Sequence, residues 1–245
     1  MIRFTMVSSL CVLSACQQGL PHTRPDGVAG ERTTAACDRA SSGDMPCDDA
    51  FVLPGDFGEH TSLADLQARF GATNVTIVEG TDESGGRTRS VVLFPDDPVR
   101  RAYVAFHDER LLEGLASILV RDAGSHWRGK RNVHVGMSFA ELREANGKPF
   151  WFSGFDSQLA GRAHDQWSPA LDGDDGRLGR LDVAEDEHMY FSVELGLRDG
   201  AKRPPPGSWP VDENVSSDDP RFPWLGDLVE VTAFSATTSL DDEWQ

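Results

Sequence analysis

The most regular alternation of apolar and polar positions runs from His188 to Leu197. Met189, Phe191, Val193, Leu195 and Leu197 alternate with Tyr190, Ser192, Glu194 and Gly196. That period of two predicts an antiparallel strand with one wet face. Ala102, Val104 and Phe106 alternate with Arg101, Tyr103 and His107 in a second half-buried strand. Asn74 to Val78 and Arg87 to Phe94 predict a hairpin whose turn is Asp82 to Gly86. Ser117 to Val120, Phe150 to Phe155 and Leu228 to Phe234 read as further strands. The pairs Val133 with Val135 and Leu181 with Val183 read as short ones. Glu109 to Ala116, carrying Leu111, Leu112 and Leu115, predicts a short helix, and the Pro- and Asp-rich stretch from Arg203 to Trp224 a long loop.

Two other helices announce themselves by their ends. Ser62 to Gly71 reads Ser-Leu-Ala-Asp-Leu-Gln-Ala-Arg-Phe-Gly, and Ser138 to Gly147 reads Ser-Phe-Ala-Glu-Leu-Arg-Glu-Ala-Asn-Gly. Each serine is an N-cap, with Asp65 or Glu141 at the capping-box position three residues on. Leu63 and Leu66, like Phe139 and Leu142, share one helical face. Each glycine supplies the left-handed residue that ends a helix. The two segments share four residues of ten in register, which suits an internal duplication, although shared capping requirements alone also make helix starts look alike. The expected fold is α+β: two related helix-plus-antiparallel-sheet halves, 51–125 and 126–235, in one globular unit, preceded by a disordered tether and followed by an acidic tail, 236–245.

The amino-terminal segment begins Met1-Ile2-Arg3 and continues with a short apolar run from Phe4 to Leu13. It is too short to span a bilayer and has the pattern of a secretory signal, 1–15. Leu13-Ser14-Ala15-Cys16 resembles the bacterial lipobox, which implies cleavage before Cys16 and lipidation of its thiol; the alternative is an ordinary cleaved signal. Gln17, where enterobacteria-like lipoproteins retained at the inner membrane carry aspartate, implies the periplasmic face of the outer membrane. Residues 16–50 are poor in large apolar side chains and read as a flexible tether, with a reach of roughly 30 Å. Cys37 and Cys47 remain as a pair, bridged or free. A bridge would restrict the unfolded chain by about 2–3 kcal/mol.

Charge narrows the range of partners. The 245 residues hold 23 Lys+Arg and 40 Asp+Glu, a net charge of −17. Such a surface repels nucleic acid and anionic lipid, so membrane attachment falls to the amino-terminal lipid. The charge suits a cationic partner or divalent ions, and solubility alone is the favoured account of it.

Phe70-Gly71-Ala72-Thr73-Asn74-Val75, Leu93-Phe94-Pro95-Asp96-Asp97-Pro98 and the stretch from Gly136 through Asn146-Gly147-Lys148-Pro149-Phe150 to Gly154-Phe155 resemble an uncharacterised family of proteobacterial envelope proteins over roughly residues 58 to 198. At the level of layout, a capped helix followed by antiparallel strands resembles the β-lactamase-inhibitor-like fold and the SmpA/OmlA outer-membrane assembly lipoproteins. The layout implies a fold and no activity.

Reactive constellations are sparse. Counting from Asp172, the sixth and twelfth positions are Arg177 and Val183, where a calcium-binding EF-hand loop needs glycine and glutamate. Asp172 to Gly176 therefore reads as a turn. Glu185, Asp186, Glu187 and His188 alternate faces on a strand and cannot converge on a metal without a bulge. His107, His126, His134 and His164 lack helical zinc spacing, and Gly-x-Ser-x-Gly is absent. No catalytic, metal or cofactor residue is assigned. Trp151 lies on the opposite strand face from Phe150 and Phe152, and with Trp167 it is the candidate contact for a partner, another envelope protein. The expectation is a lipid-anchored binding or assembly module without catalysis. The alternative is a periplasmic hydrolase or metal-dependent enzyme whose residues meet only in the fold.

Overall fold

A computed structural model describes residues 49–81, 85–155, 160–163, 167, 179–181, 189–205, 208–211 and 213–238. The signal, Cys16, the tether up to residue 48 with Cys37 and Cys47, the turn residues 82–84 and 172–176, Val183, the run from Glu185 to His188 and the tail from residue 239 lie outside them.

The described chain begins with a 3-10 turn, Asp49–Phe51, and strand β1, Val52–Leu53. Helix α1, Leu63–Phe70, follows. Its capping box is complete: Asp65 N–H donates to the Ser62 hydroxyl at 3.3 Å and Ser62 N–H donates to the Asp65 carboxylate at 2.9 Å. Leu66 and Phe70 face the core. Gly71 ends the helix at φ 84° and ψ 137°, outside the left-handed helical region, and leads into the 3-10 turn Ala72–Asn74. Strands β2 (Val75–Thr81), β3 (Arg87–Leu93), β4 (Ala102–Asp108) and β5 (Glu113–Val120) then form an antiparallel meander.

No helix forms over Glu109 to Ala116, contrary to the sequence expectation. The Asp108 carboxylate accepts from the N–H groups of Arg110 and Leu111, and Leu112 N–H donates to the Asp108 carbonyl at 2.7 Å. These bonds close a tight β4–β5 turn, and cross-strand pairing takes the residues that follow. Leu112 and Leu115 are buried while Leu111 is exposed, a split that an amphipathic helix would not produce.

Strand β6 (Arg128–Gly129) and a 3-10 turn, Lys130–Asn132, follow. The strand expected at Val133 and Val135 is absent, because Arg131 and Asn132 turn the backbone through left-handed conformations just before it. Helix α2, Phe139–Asn146, carries the second complete capping box, from Ser138 to Glu141. Here Gly147 is left-handed, at φ 78° and ψ 1°. Strands β7 (Trp151–Ser153), β8 (Met189–Leu197) and β9 (Asn214–Ser216), the short helix α3 (Leu225–Leu228) and strand β10 (Val229–Thr238) complete the chain. Strand β9 lies inside the stretch read as a long loop. Strand β10 runs through Thr238, three residues into the stretch read as the acidic tail from 236, because Ala236 and Thr238 are buried and paired.

The halves share one six-stranded antiparallel sheet in the order β2-β3-β4-β5-β10-β8. Strand β10, last in sequence, lies between β5 of the first half and β8 of the second. The helix starts are pinned alike. Leu63 N–H donates to Leu112 O at 2.9 Å ahead of β5, while Gly136 N–H donates to Val231 O at 2.8 Å and Val231 N–H to Met137 O at 2.9 Å on β10. No described helix is long and apolar enough to cross a membrane.

Each half packs rings around a fully buried tryptophan. Phe51, Phe57 and Phe70 surround Trp127, whose indole donates to Arg100 O at 2.8 Å. Phe150 and Phe191 flank Trp167, whose indole donates to Phe191 O at 2.8 Å. Trp127 belongs to the first core, and β6 pairs in parallel with β1.

Candidate functional site

Phe150 to Gly154 and Glu213 to Ser217 run antiparallel, with β7 and β9 at their centre. The ladder extends at both ends: Ser217 N–H donates to Phe150 O at 2.8 Å, and Gly154 N–H donates to Glu213 O at 2.7 Å. Burial follows the strand alternation. Phe150 and Phe152 are fully buried against Phe139 of α2, and Trp151 between them is half-buried. Trp151 thus occupies the opposite face of β7, as its position in the sequence requires.

Trp167, the other candidate partner contact, is a core residue with no exposed surface. Its carbonyl accepts from Asn146 Nδ2 at 2.9 Å, and its backbone is left-handed, at φ 51°. Asn146, itself fully buried at the end of α2, also donates to Lys148 O and accepts from Leu181 N–H. One amide side chain thereby joins the helix end to two distant stretches of chain. Isolated in a polar sequence, Trp167 reads as a surface residue. Its neighbours Phe150, Phe191 and Asn146 converge on it only in three dimensions.

The ring surface that sequence reading missed begins where β7 ends. A Cβ on Gly154 would meet Pro210 O at 2.9 Å and Glu213 O at 3.1 Å, so only glycine fits between those carbonyls. The close approach lets Phe155 N–H donate to Pro210 O at 3.1 Å and sets the Phe155 ring 4.3 Å from that of Trp209. Trp209 stacks on Trp224 with ring centroids 5.0 Å apart and planes 8° from parallel. Phe222 meets Trp224 edge-on at 6.0 Å. Phe155 and Trp224 are half-buried, while Trp209 and Phe222 are about 6% exposed. The only sequence signal is Trp209, Phe222 and Trp224 in a stretch otherwise rich in Pro and Asp, rings that must pack somewhere.

Cations rim this stack. The Arg203 guanidinium lies 5.1 Å from the Trp209 ring centre and that of Arg221 4.9 Å from Phe222. Arg221 is clamped: its Nε lies 3.0 and 3.1 Å from the two Asp219 oxygens, and one terminal nitrogen reaches Asp219 at 2.7 Å and Glu213 at 3.1 Å. Arg221 hydrogen bonds hold the Asp219 carboxyl below the usual aspartate range, and the two carboxylates push the guanidinium pKa up. Trp209 Nε1 is buried and meets no hydrogen-bond acceptor among the described residues. Stacked rings and a fixed cation suit adhesion to another surface. Among the described residues no group of three or more His, Cys, Asp and Glu side chains is placed to hold a metal ion.

The chain matches no known protein family, no curated protein and no solved structure.

Proposed function

We propose that this chain is a lipid-anchored cell-envelope protein, acylated at Cys16, that binds or assembles with another envelope protein without catalysing a reaction. The observation that carries the binding role is the Phe155–Trp209–Trp224 stack, partly open and bordered by Arg203 and the clamped Arg221. Aromatic and arginine side chains supply most of the energy in protein contacts. The lipobox at Leu13 to Cys16 supports the anchor.

Affinity capture from detergent-solubilised envelopes, with the wild-type chain and Trp224→Ala side by side, tests the binding role. A protein recovered with the wild type and at least tenfold depleted with the variant is the expected result. Equal recovery with both, or metal-dependent turnover in a substrate screen, overturns the reading. Mass spectrometry of the mature N-terminus tests the anchor. Acylated Cys16 is expected, and any unmodified start removes it.

A further inference from the structure

The two ends of the six-stranded sheet are finished differently. At the β8 end the chain covers its own edge: Ala163 N–H donates to Val193 O at 3.0 Å, Leu195 N–H donates to Gly161 O at 2.9 Å, and Arg162 bridges to Glu194. At the β2 end no further strand pairs among the described residues. Residues 76–81 are all exposed, including Ile77 at 40% and Val78 at 42%. An open edge is ordinarily guarded by lysine, proline, a bulge or shortness. Strand β2 has seven residues, no proline and no bulge against β3, and its only charge is Glu79.

The phase of the β2–β3 ladder fixes which groups face outward. Phe94 N–H donates to Asn74 O at 2.7 Å, and the register continues with Val75 opposite Leu93. In an antiparallel pair, bonded and non-bonded residues alternate. Thr76, Val78 and Gly80 therefore spend their backbone groups on β3, Ile77, Glu79 and Thr81 aim theirs outward, and Val75 aims out its carbonyl alone, its N–H donating to Ala72 O. On β3 the same phase turns Arg89 N–H away from β2, and it donates to the Glu109 carboxylate at 3.0 Å.

We propose that this edge pairs with β2 of a second copy of the chain, antiparallel, about a two-fold axis at Val78. That register alone overlaps both strands completely. Ile77 faces the copy's Glu79 and bonds with it through both backbone groups, while the copy's Thr81 N–H donates to the Val75 carbonyl, whose own N–H is held by Ala72 O. Val78 meets itself at the axis in a non-bonded pair, where side chains approach most closely. Thr76 faces Gly80, which has no side chain to collide. The two sheets become one of twelve strands. A seven-residue edge buries less than a standard interface, so the dimer is weak and concentration-dependent.

Sedimentation of the full chain in detergent over a concentration series tests the pairing, with Ile77→Pro as the discriminating variant. Its lost N–H faces outward, so the β2–β3 ladder keeps its bonds. The expected result is a reversible dimer for the wild type and a monomer with an unchanged thermal melt for Ile77→Pro. If that variant fails to fold, Val78→Lys, which sets two ammonium groups together at the axis, replaces it. Register is tested with Val78→Cys. Facing Cα atoms of a non-bonded pair lie about 4.5 Å apart, within disulfide reach. Mild oxidation should give a covalent dimer that the wild type, with its own cysteines, does not form, and that Val78→Cys combined with Ile77→Pro loses. A monomer at the highest soluble concentration, a dimer that survives Ile77→Pro and Val78→Lys, or cross-linking through Glu79→Cys in place of Val78→Cys overturns the proposal.

Discussion

Trp167 and Trp151 are the two residues whose fates differ most. Trp167→Ala removes a fully buried ring, its bond to Phe191 O and its contact with Phe150. Such a truncation costs about 3–5 kcal/mol. The left-handed backbone at Trp167 itself costs about 1–2 kcal/mol, which the packing and the Asn146 bond offset. Trp151→Ala, at a half-buried position, should cost well under about 3 kcal/mol. Thermal melts of the two variants, with Phe150→Ala as the core reference, decide the order. Trp167 falling with Phe150 and Trp151 apart from both is the expected outcome. The split between Phe150, Trp151 and Phe152 was legible because strand alternation is local. The burial of Trp167 was not, since residues 17 to 24 positions away create it.

At the level of elements, both capping boxes were readable because each is four residues long and complete in itself. Ser138→Ala should destabilise by about 0.5–2 kcal/mol in chemical denaturation at neutral pH. The pH dependence follows from Glu141. Hydrogen bonds from Ser138 hold its carboxyl below the ordinary value of 4.5. Folding therefore gains from the charged form above that value and loses the gain as pH falls through the lowered folded pKa. Denaturation midpoints measured stepwise downward from pH 5 should fall for the wild type and fall less for Ser138→Ala. Other elements were illegible for a physical reason. The leucines at 111, 112 and 115 have helical spacing, but the Asp108 cap and the pairing of β5 with β4 and β10 override it. The turn at Gly154 was hidden likewise, since the carbonyls that crowd it belong to residues 210 and 213. Gly154→Ala should cost about 1–3 kcal/mol and weaken the near-ultraviolet circular dichroism of the Trp209–Trp224 pair.

For the whole molecule, the α+β class and the β2–β3 hairpin could be read from strand patterns, but the order of strands could not. Nothing in Val229 to Thr238 marks it as the piece that joins the halves. Inserted between β5 and β8, it buries Val229, Val231, Phe234 and Ala236 in the common core. A chain ending at Leu228 should lose its cooperative melt altogether, which circular dichroism against temperature would register. Residues 229–238 also follow every other described strand in the order of synthesis. Before they arrive, β5 and β8 are separate edges with nothing between them, and no earlier nascent length has a finished sheet to settle into. Cooperativity in this sheet is therefore a property of connectivity: the strand that ties β5 to β8 is remote in sequence from β5, so the two sides of the sheet stand or fall together.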